Sequence, residues 1–190
     1  MYEIMKEKFV KIVRENIKRD GIEDLLKYLD ETDFYKAPAS SMFHCNYEGG
    51  LVEHSINVFE MILKSEYVKN YSVETLAIIS LFHDLCKANL YKVEMRNTKN
   101  EYGQWIKVPY YKTDEKYPFG HGEKSVYLLM KYIKLTDEEA LAINWHMGSF
   151  DYRVRGGCYS LGEAFNQSTL ALELHIADMR ASYITENKNK

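Results

Sequence analysis

The sequence predicts an all-α domain, a helical bundle that carries one small β-hairpin. Apolar residues recur every three or four positions through most of the chain, which is typical of amphipathic helices. The stretch 76–82 is apolar nearly all round, which indicates a buried central helix. Residues 91–111 instead alternate apolar with charged side chains, which is the period of a β-strand. With 190 residues, 46% of them hydrophobic, the chain is expected to form a single domain over 1–190.

Four helices are predicted in the first half of the chain, each set off by a turn or a capping signal. Asp20-Gly21 separates the first two helices, and Gly49-Gly50 closes a loop over 32–50. Ser72 is a good N-cap for the fourth helix. The expected ranges are 3–18, about 22–29, 51–64 and 73 to about 87.

The second half begins with the hairpin, over about 91–111, whose turn is expected at 100–103. Thr136-Asp137-Glu138-Glu139 has the pattern of a capping box and therefore predicts the start of a helix. The remaining expected elements are helices over 123–134, 137–147 and 163–184, a Gly-rich loop over 148–160 and a frayed tail over 187–190.

Bulk properties exclude several classes of protein. A net charge of −3 and a pI near 6.1 argue against a globally basic nucleic-acid-binding surface, although a local basic patch stays open. No apolar run approaches membrane-spanning length, so no membrane partner is expected. The segment 1–6 does not have the pattern of a signal peptide. Three widely spaced cysteines, without a Cys-x-x-Cys pair, predict a reduced, cytoplasmic protein.

Two acidic residues stand where a charge is costly. Asp84 follows His83 at the end of the apolar run, and Asp178 lies on an apolar stripe of the last helix. A buried carboxylate without a partner costs several kcal/mol or becomes neutral. Either a metal ion or an ion pair must therefore accompany each one, for example Asp178 with Lys87 or with an arginine. His54, on the core-facing stripe of the third helix, is a further candidate ligand.

The order of these residues resembles the HD-domain metal-dependent phosphohydrolase superfamily, which is named for a His…His-Asp…Asp signature on a helical core. The corresponding positions run His54, His83-Asp84, His121, His146 and Asp178. The stretches 49–55, 81–87, 120–125 and 145–146 are similar to the local contexts of that signature. The resemblance covers roughly residues 44–180 and implies an HD-domain-like bundle. It is nearest to uncharacterised bacterial and phage HD hydrolases and to the HD domain of 3′-5′ exoribonucleases. Cys86 stands where many members have glycine.

The resemblance implies a centre with one or two divalent ions (Mn, Fe, Ni, Co, Zn or Mg). His54, His83, Asp84 and Asp178 would hold one ion, and His121 and His146 a second, with Asp84 bridging. The implied activity is hydrolysis of a phosphomonoester or phosphodiester by a metal-activated hydroxide. The substrate would be a nucleotide, another small phosphate ester or a nucleic-acid end. The implied catalytic residues are Asp84 and Lys87, since Lys87 is expected one helical turn beyond His83 and within reach of a phosphate.

Four further residues are candidates for substrate binding. Arg153 and Arg155 follow His146 in the Gly-rich loop, and arginine forks suit phosphate. His44 precedes the first ligand helix and could donate a proton to a leaving group. Arg96 lies on the hairpin, which is expected to form an insertion and a substrate lid. For each of them a solvated surface charge is the alternative interpretation. His175, one turn before Asp178, is a candidate to support a ligand from behind.

Two other functions fit the same residues. Some members of the superfamily use this six-ligand pattern to hold two irons and to activate dioxygen, so a di-iron oxygenase is one alternative. A non-catalytic nucleotide-binding module is the other. The sequence predicts no oligomeric state.

Overall fold

The computed structural model describes residues 2–186, which are mostly helical with one two-stranded antiparallel sheet. This confirms the prediction of a mainly α-helical fold with a hairpin. Within this range, no helix combines the length and the apolar character needed to cross a membrane. The helices are α1 Tyr2–Asn16, α2 Ile22–Asp30, α3 Gly50–Ile62, α4 Val73–Phe82, α5 His121–Leu129, α6 Asp137–Trp145, α7 Tyr152–Arg155, α8 Ser160–Gln167 and α9 Thr169–Arg180. The strands are β1 Tyr91–Lys99 and β2 Trp105–Thr113.

Helix α4 is the centre of the bundle. Every residue from Leu76 to Phe82 is buried, which confirms the prediction from the apolar run. The helix packs against α1, α3 and α6, and α9 packs against α3 and α6 on the far side. Phe82 also joins an aromatic group with Phe9, which in turn contacts Phe34 and Tyr35. Because α4 is buried from Leu76 to Phe82, any polar group at its C-terminal end is held away from water.

A buried carboxylate fixes the start of α6. Glu139 completes the predicted capping box, since its carboxylate accepts from the Thr136 backbone N–H at 2.8 Å and its own N–H donates to Thr136 Oγ1. The same carboxylate binds both terminal nitrogens of Arg19, at 2.5 and 3.1 Å. Thr75, in the first turn of α4, donates to it at 3.0 Å. These contacts tie the α1–α2 connection, α4 and α6 together.

Three predicted helices end earlier than the apolar pattern suggests. The helix expected over 123–134 is α5, which begins at His121 and ends at Leu129. The fourth was expected to reach about residue 87, but α4 ends at Phe82, with His83 as its C-cap and a 3₁₀ turn at Leu85–Lys87. The last was expected over 163–184, but Ser168 has an extended backbone, ends α8 and caps α9 through its hydroxyl. The predicted Gly-rich loop contains a 3₁₀ turn at Gly148–Phe150 as well as α7. A π-helical turn, Ala181–Thr185, follows α9, and the predicted frayed tail lies outside the described residues.

The hairpin was predicted at the right place and is slightly longer than expected. Its register runs from the pair Tyr91 and Thr113 to the pair Lys99 and Trp105. In the turn, the side-chain oxygen of Asn100 accepts from the backbone N–H groups of Tyr102 and Gln104. This local hydrogen bonding explains why a turn forms there.

We expect Gly122→Ala to destabilise the fold, because α5 and α6 approach closely at this glycine. A Cβ atom there would lie 2.2 Å from the backbone oxygen of Asn144, so the helices would have to separate. The expected loss is about 1–3 kcal/mol of unfolding free energy, measured by thermal or urea denaturation.

Gly162→Ala is the matched control. This glycine also lies in a helix, but no atom lies within 4 Å of the position that a Cβ would take. Alanine should stabilise the protein by about 0.5–1 kcal/mol, because it restricts the unfolded chain. Equal effects of the two substitutions would contradict close packing at Gly122.

Candidate metal centre

All six predicted ligands lie in one cluster at the heart of the bundle. Four of them lie at the ends of α4, α5 and α6, one lies within α3 and one lies in the last turn of α9. They are His54 from α3, His83 and Asp84 after α4, His121 at the start of α5, His146 after α6 and Asp178 from α9. His54, His83, Asp84 and His146 are almost completely buried, whereas His121 and Asp178 are partly exposed. The cluster therefore has a closed interior and a limited opening to solvent.

The Asp84 carboxylate stands between two groups of imidazoles. Its Oδ1 lies 2.7 Å from His121 Nε2 and 3.5 Å from His146 Nε2. Its Oδ2 lies 3.4 Å from His83 Nε2 and 3.7 Å from His54 Nε2. Asp84 therefore lies between the two groups of imidazoles. The groups are not fully separate, because donor atoms of His83, His146 and Asp178 also lie within 4.8 Å of one another.

The separations among the donor atoms fit a metal site. His54 Nε2 lies 3.2 Å from both His83 Nε2 and Asp178 Oδ1. Two donors that are each about 2.1 Å from one ion stand about 3.0 to 3.4 Å apart in octahedral or tetrahedral geometry. Imidazole nitrogen and carboxylate oxygen together suit divalent transition metals. This buried cluster could therefore hold a metal ion.

Backbone carbonyls orient two of the imidazoles. His83 Nδ1 lies 2.8 Å from the carbonyl oxygen of Ser80, and His146 Nδ1 lies 2.7 Å from that of Ile143. A proton held on each Nδ1 leaves the Nε2 lone pair directed at the cluster, which is the arrangement of metal-binding histidines. Burial lowers the pKa of His83, which favours this neutral form. His146 Nε2 is buried and makes no hydrogen bond within residues 2–186, and a bound cation would satisfy it.

Glu186 supports His54 on the side away from the cluster and was not among the predicted site residues. Its carboxylate oxygens lie 3.0 and 3.2 Å from His54 Nδ1. The same carboxylate is bonded to His44 Nδ1 at 2.7 Å and accepts from Asn57 Nδ2 at 2.9 Å. The π-helical turn after α9 carries Glu186 to this position, and π-helical turns are frequent at functional sites. No sequence motif marks this residue, because its partners are more than a hundred positions away.

The charges of the cluster depend on one another. Burial alone would raise the pKa of Asp84, but the charge of Lys87 and the neighbouring imidazoles outweigh it and keep that pKa well below its usual range. The pKa of Asp178 is lowered in the same way, mainly by its hydrogen bond with His54. Burial alone would lower the pKa of His54, but hydrogen bonds with Asp178 and Glu186 raise it to about 10. Both aspartates are therefore ionised and depend on nearby positive charge.

Lys87 supplies part of that positive charge. Its ammonium lies 2.5 Å from Asp84 Oδ2, and its pKa is raised because attraction to Asp84 outweighs burial. Lys87 was expected one α-helical turn beyond His83, but α4 ends at Phe82 and Lys87 lies in the 3₁₀ turn Leu85–Lys87. An ion pair was the alternative to a metal in the sequence analysis. It is present at Asp84, whereas Asp178 is paired with His54.

The predicted substrate-binding residues have different surroundings. Arg153 forms ion pairs with Glu123 and Asp151, and it donates hydrogen bonds to Asn144. Its guanidinium also stacks on the ring of Trp145, and together these contacts give it a structural role. Arg155 and Arg96 are exposed on α7 and β1. His44 is bonded to Glu186, and its ring centroid is 4.6 Å from that of His54. A role in substrate binding stays a prediction for all four.

Two further side chains line or support the cluster. Cys86 Sγ lies 3.5 and 3.4 Å from the two ring nitrogens of His121, so the sulfur sits over the face of the ring. Burial raises the pKa of this thiol to about 12. His175 Nδ1 is bonded to the His146 carbonyl oxygen at 2.7 Å, and its ring fills the space beside Gly148. It therefore holds the backbone of a candidate ligand, as the sequence analysis suggested.

Comparison of the chain with protein-family models, with curated proteins and with solved structures found no match. The structure is compatible with the HD-domain resemblance, because a helical core brings the six residues together. Any assignment of function therefore depends on the chemistry of the cluster itself.

We expect Glu186→Gln to weaken metal binding about 10- to 100-fold, the usual cost of losing a partner that supports a metal-bound histidine. Glutamine keeps the shape of the side chain but removes the charge that faces His54 and His44. Isothermal titration of the metal-free protein with Mn²⁺ or Zn²⁺ would measure the loss.

Glu60→Gln on α3 is the control, because Glu60 is an exposed surface partner of Lys8. In chelator, the unfolding curve of Glu60→Gln should match that of the wild type to within about 1 kcal/mol, the usual scale of surface pairs. Glu186→Gln should be less stable than the wild type, because its buried carboxylate pairs with His54 and His44. Its far-ultraviolet circular dichroism in chelator should still match that of the wild type, which shows that the fold is retained. If Glu186→Gln bound metal as tightly as the wild type, Glu186 would not support metal binding through His54.

Proposed function

We propose that this protein is a metal-dependent phosphohydrolase. The substrate would be a phosphomonoester or phosphodiester of a nucleotide or of a nucleic-acid end. The observation that carries the proposal is the convergence of three imidazoles around one buried, ionised carboxylate, with His121 completing the group at the solvent side.

The donors named in the sequence analysis would hold the metal. His54 and His83 lie near one oxygen of Asp84, and His121 and His146 lie near the other. Asp178 lies beside His54 and would be a further ligand on that side. When bound, divalent ions lower the pKa of a coordinated water and polarise a phosphoryl oxygen. The metal identity and the number of ions belong to the proposal.

The chain itself supplies a binding group for a phosphate. Lys87 is charged, and 11% of its side chain is exposed, so its ammonium can exchange Asp84 Oδ2 for a phosphate oxygen. Partial exposure of His121 and Asp178 marks the side from which a substrate would enter. The buried residues behind them exclude water from the rest of the centre.

A direct test is elemental analysis of the purified protein, followed by assays with each metal. The metal-free protein would be loaded with Mn²⁺, Co²⁺, Ni²⁺, Zn²⁺, Mg²⁺ or Fe²⁺ and given nucleoside monophosphates and short oligonucleotides with 5′ or 3′ phosphates. Metal-dependent release of phosphate or nucleotide supports the proposal. Bound iron together with dioxygen consumption, and without hydrolysis, would replace it with the oxygenase alternative. Nucleotide binding without turnover under any metal would favour a non-catalytic module.

We expect Asp84→Asn to abolish both metal binding and hydrolysis, because it removes the charge that the two halves share. For the wild type, metal at about 100 times its dissociation constant should add roughly 2.7 kcal/mol of stability. This corresponds to a rise of about 5–10 °C in Tm for a domain of this size. The variant should show no such rise while its far-ultraviolet circular dichroism is retained.

Asp24→Asn is the control, since Asp24 is exposed on α2. It should keep the metal-dependent rise in Tm and the activity of the wild type. Normal turnover by Asp84→Asn would count against the site.

We expect Lys87→Met to reduce kcat about 10²- to 10³-fold, the range for losing one group that stabilises a developing charge. Its metal content should be unchanged or higher, because the ammonium no longer competes for Asp84 Oδ2. Metal analysis and steady-state kinetics on the same samples separate the two effects.

Lys124→Met provides a matched control, because Lys124 is similarly shielded but bonded to Glu115 at 2.8 Å. If Lys87→Met loses metal in parallel with activity, Lys87 holds the site together and does not bind phosphate.

A further inference from the structure

The β1–β2 hairpin is an exposed ribbon. The two strands pack on each other, and neither packs extensively against any helix in residues 2–186. Large apolar side chains are open to solvent on it, with Val93 62%, Met95 58% and Trp105 70% exposed. A two-stranded ribbon gains little stability of its own from such residues. Their exposure therefore suggests a surface for binding.

The ribbon is basic within an acidic protein. Residues 91–113 contain five basic and two acidic side chains, a net charge of +3, whereas the whole chain carries −3 and the remainder −6. The hairpin is therefore a local basic patch, which the net charge of the whole chain does not reveal. A positive surface set off in this way attracts a polyanion.

The two faces of the ribbon differ in character. Side chains of directly paired residues share a face, so Lys99 lies with Trp105, and Asn97 with Lys107. We call this face the stacking face; it is formed by the odd-numbered residues of both strands, among them Val93, Met95, Asn97, Lys99, Trp105, Lys107 and Pro109. On the opposite face Lys92 and Lys112 are both paired with Glu94.

The cations of the stacking face are available for a ligand. Neither Lys99 nor Lys107 forms an ion pair with any residue in 2–186, and both are exposed. Lys99 Nζ lies 5.3 Å from the centroid of the Trp105 ring, so a flat apolar surface and a positive charge are adjacent. Aromatic rings interleaved with lysines are the elements with which proteins bind single-stranded nucleic acid.

The ribbon starts beside the metal centre. β1 begins four positions after Lys87, and the backbone N–H of Asp114 donates to the Leu90 carbonyl oxygen at 2.8 Å to close its base. Nine-residue strands extend roughly 30 Å. A strand bound along the ribbon would therefore have one end near the candidate centre.

We infer that the stacking face binds single-stranded nucleic acid, with bases stacked on Trp105 and phosphates paired with Lys99 and Lys107. This narrows the substrate class to the end of a single strand, an assignment that rests on the proposed function. Binding by the ribbon does not depend on metal, so it can be tested separately.

The test is fluorescence anisotropy with a labelled oligothymidine of about 20 nucleotides, long enough to cover one such surface. It is performed in chelator with the full-length protein over a series of salt concentrations. The wild type should bind with a dissociation constant of about 10⁻⁴–10⁻⁶ M. Lys99→Gln/Lys107→Gln should flatten the slope of log K against log salt by about 1.4, or 0.7 for each lost phosphate contact. Trp105→Ala should weaken binding about tenfold or more, and Trp105→Phe should restore most of it.

Two matched controls isolate the stacking face. Lys92→Gln/Lys112→Gln removes the same charge from the same ribbon but from its other face, and it should change the slope much less. Tyr67→Ala removes an aromatic ring that is 74% exposed on the body of the protein and should leave binding unchanged. The two double-lysine variants have the same net charge, and Trp105→Ala and Tyr67→Ala each remove one exposed ring. A difference within either pair therefore depends on the position of the residues.

Other outcomes overturn the inference. No binding at low salt up to about 100 µM protein, the weak end of non-specific affinity, would reject it. The inference would also be rejected if the two double-lysine variants lost the same amount of affinity. Equal competition for binding by a duplex of the same length would reject it too. If light scattering gives twice the 22.4 kDa monomer mass and Trp105→Ala restores the monomer without altering oligonucleotide binding, the ribbon joins two copies of the chain instead. These measurements are made without metal, so they are independent of the hydrolysis assays. Failure of the proposed hydrolysis would leave the binding result intact, and failure of binding would leave the hydrolysis result intact.

Discussion

A carboxylate buried at the end of the most apolar helix is the constraint on which the centre of this protein depends. Asp84 is 2% exposed and ionised, and the free energy of such a group is unfavourable unless positive charge and hydrogen-bond donors surround it. Lys87 supplies a full charge at 2.5 Å, and four imidazoles stand within 3.7 Å of its two oxygens. A lysine alone would satisfy one oxygen. The imidazoles, two near each oxygen, distinguish this cluster from an ordinary buried ion pair.

The bundle is arranged to bring those imidazoles to one point. α4 ends at the cluster, α3 and α9 cross beside it, and the adjoining ends of α5 and α6 meet at Gly122. Backbone carbonyls fix two of the rings, and Glu186 fixes a third. Each of these rings is thus held by a group outside the cluster, which reduces the entropy that would be lost when a ligand orders it. The last residue that the structure describes, Glu186, is consequently part of the site.

The protein combines two surfaces with opposite properties. The centre is enclosed, with acidic groups held by buried histidines and a lysine, whereas the hairpin is open and basic on both strands. The hairpin makes few contacts with the helical bundle, so substitutions in the hairpin should have little effect on the centre, and substitutions in the centre little effect on the hairpin. The short segment from Lys87 to Tyr91 connects them, and it carries both the cation of the centre and the first residue of the ribbon.

The sequence by itself determined the helical class, the buried helix, the capping box, the hairpin and the candidate ligands. These are encoded in local periodicity, in capping residues and in an ordered set of histidines and aspartates, and no packing is needed to recognise them. Only the tertiary structure decided that α4 stops at Phe82, that Ser168 divides the last helix, that Lys87 is bonded to Asp84 and that Glu186 supports His54. The apolar residues of the last predicted helix did not reveal this division, which depends on the extended backbone of Ser168 and on its hydroxyl cap. Glu186 and His54 are 132 positions apart, and such a pair exists only because of how the helices pack, which no local pattern records.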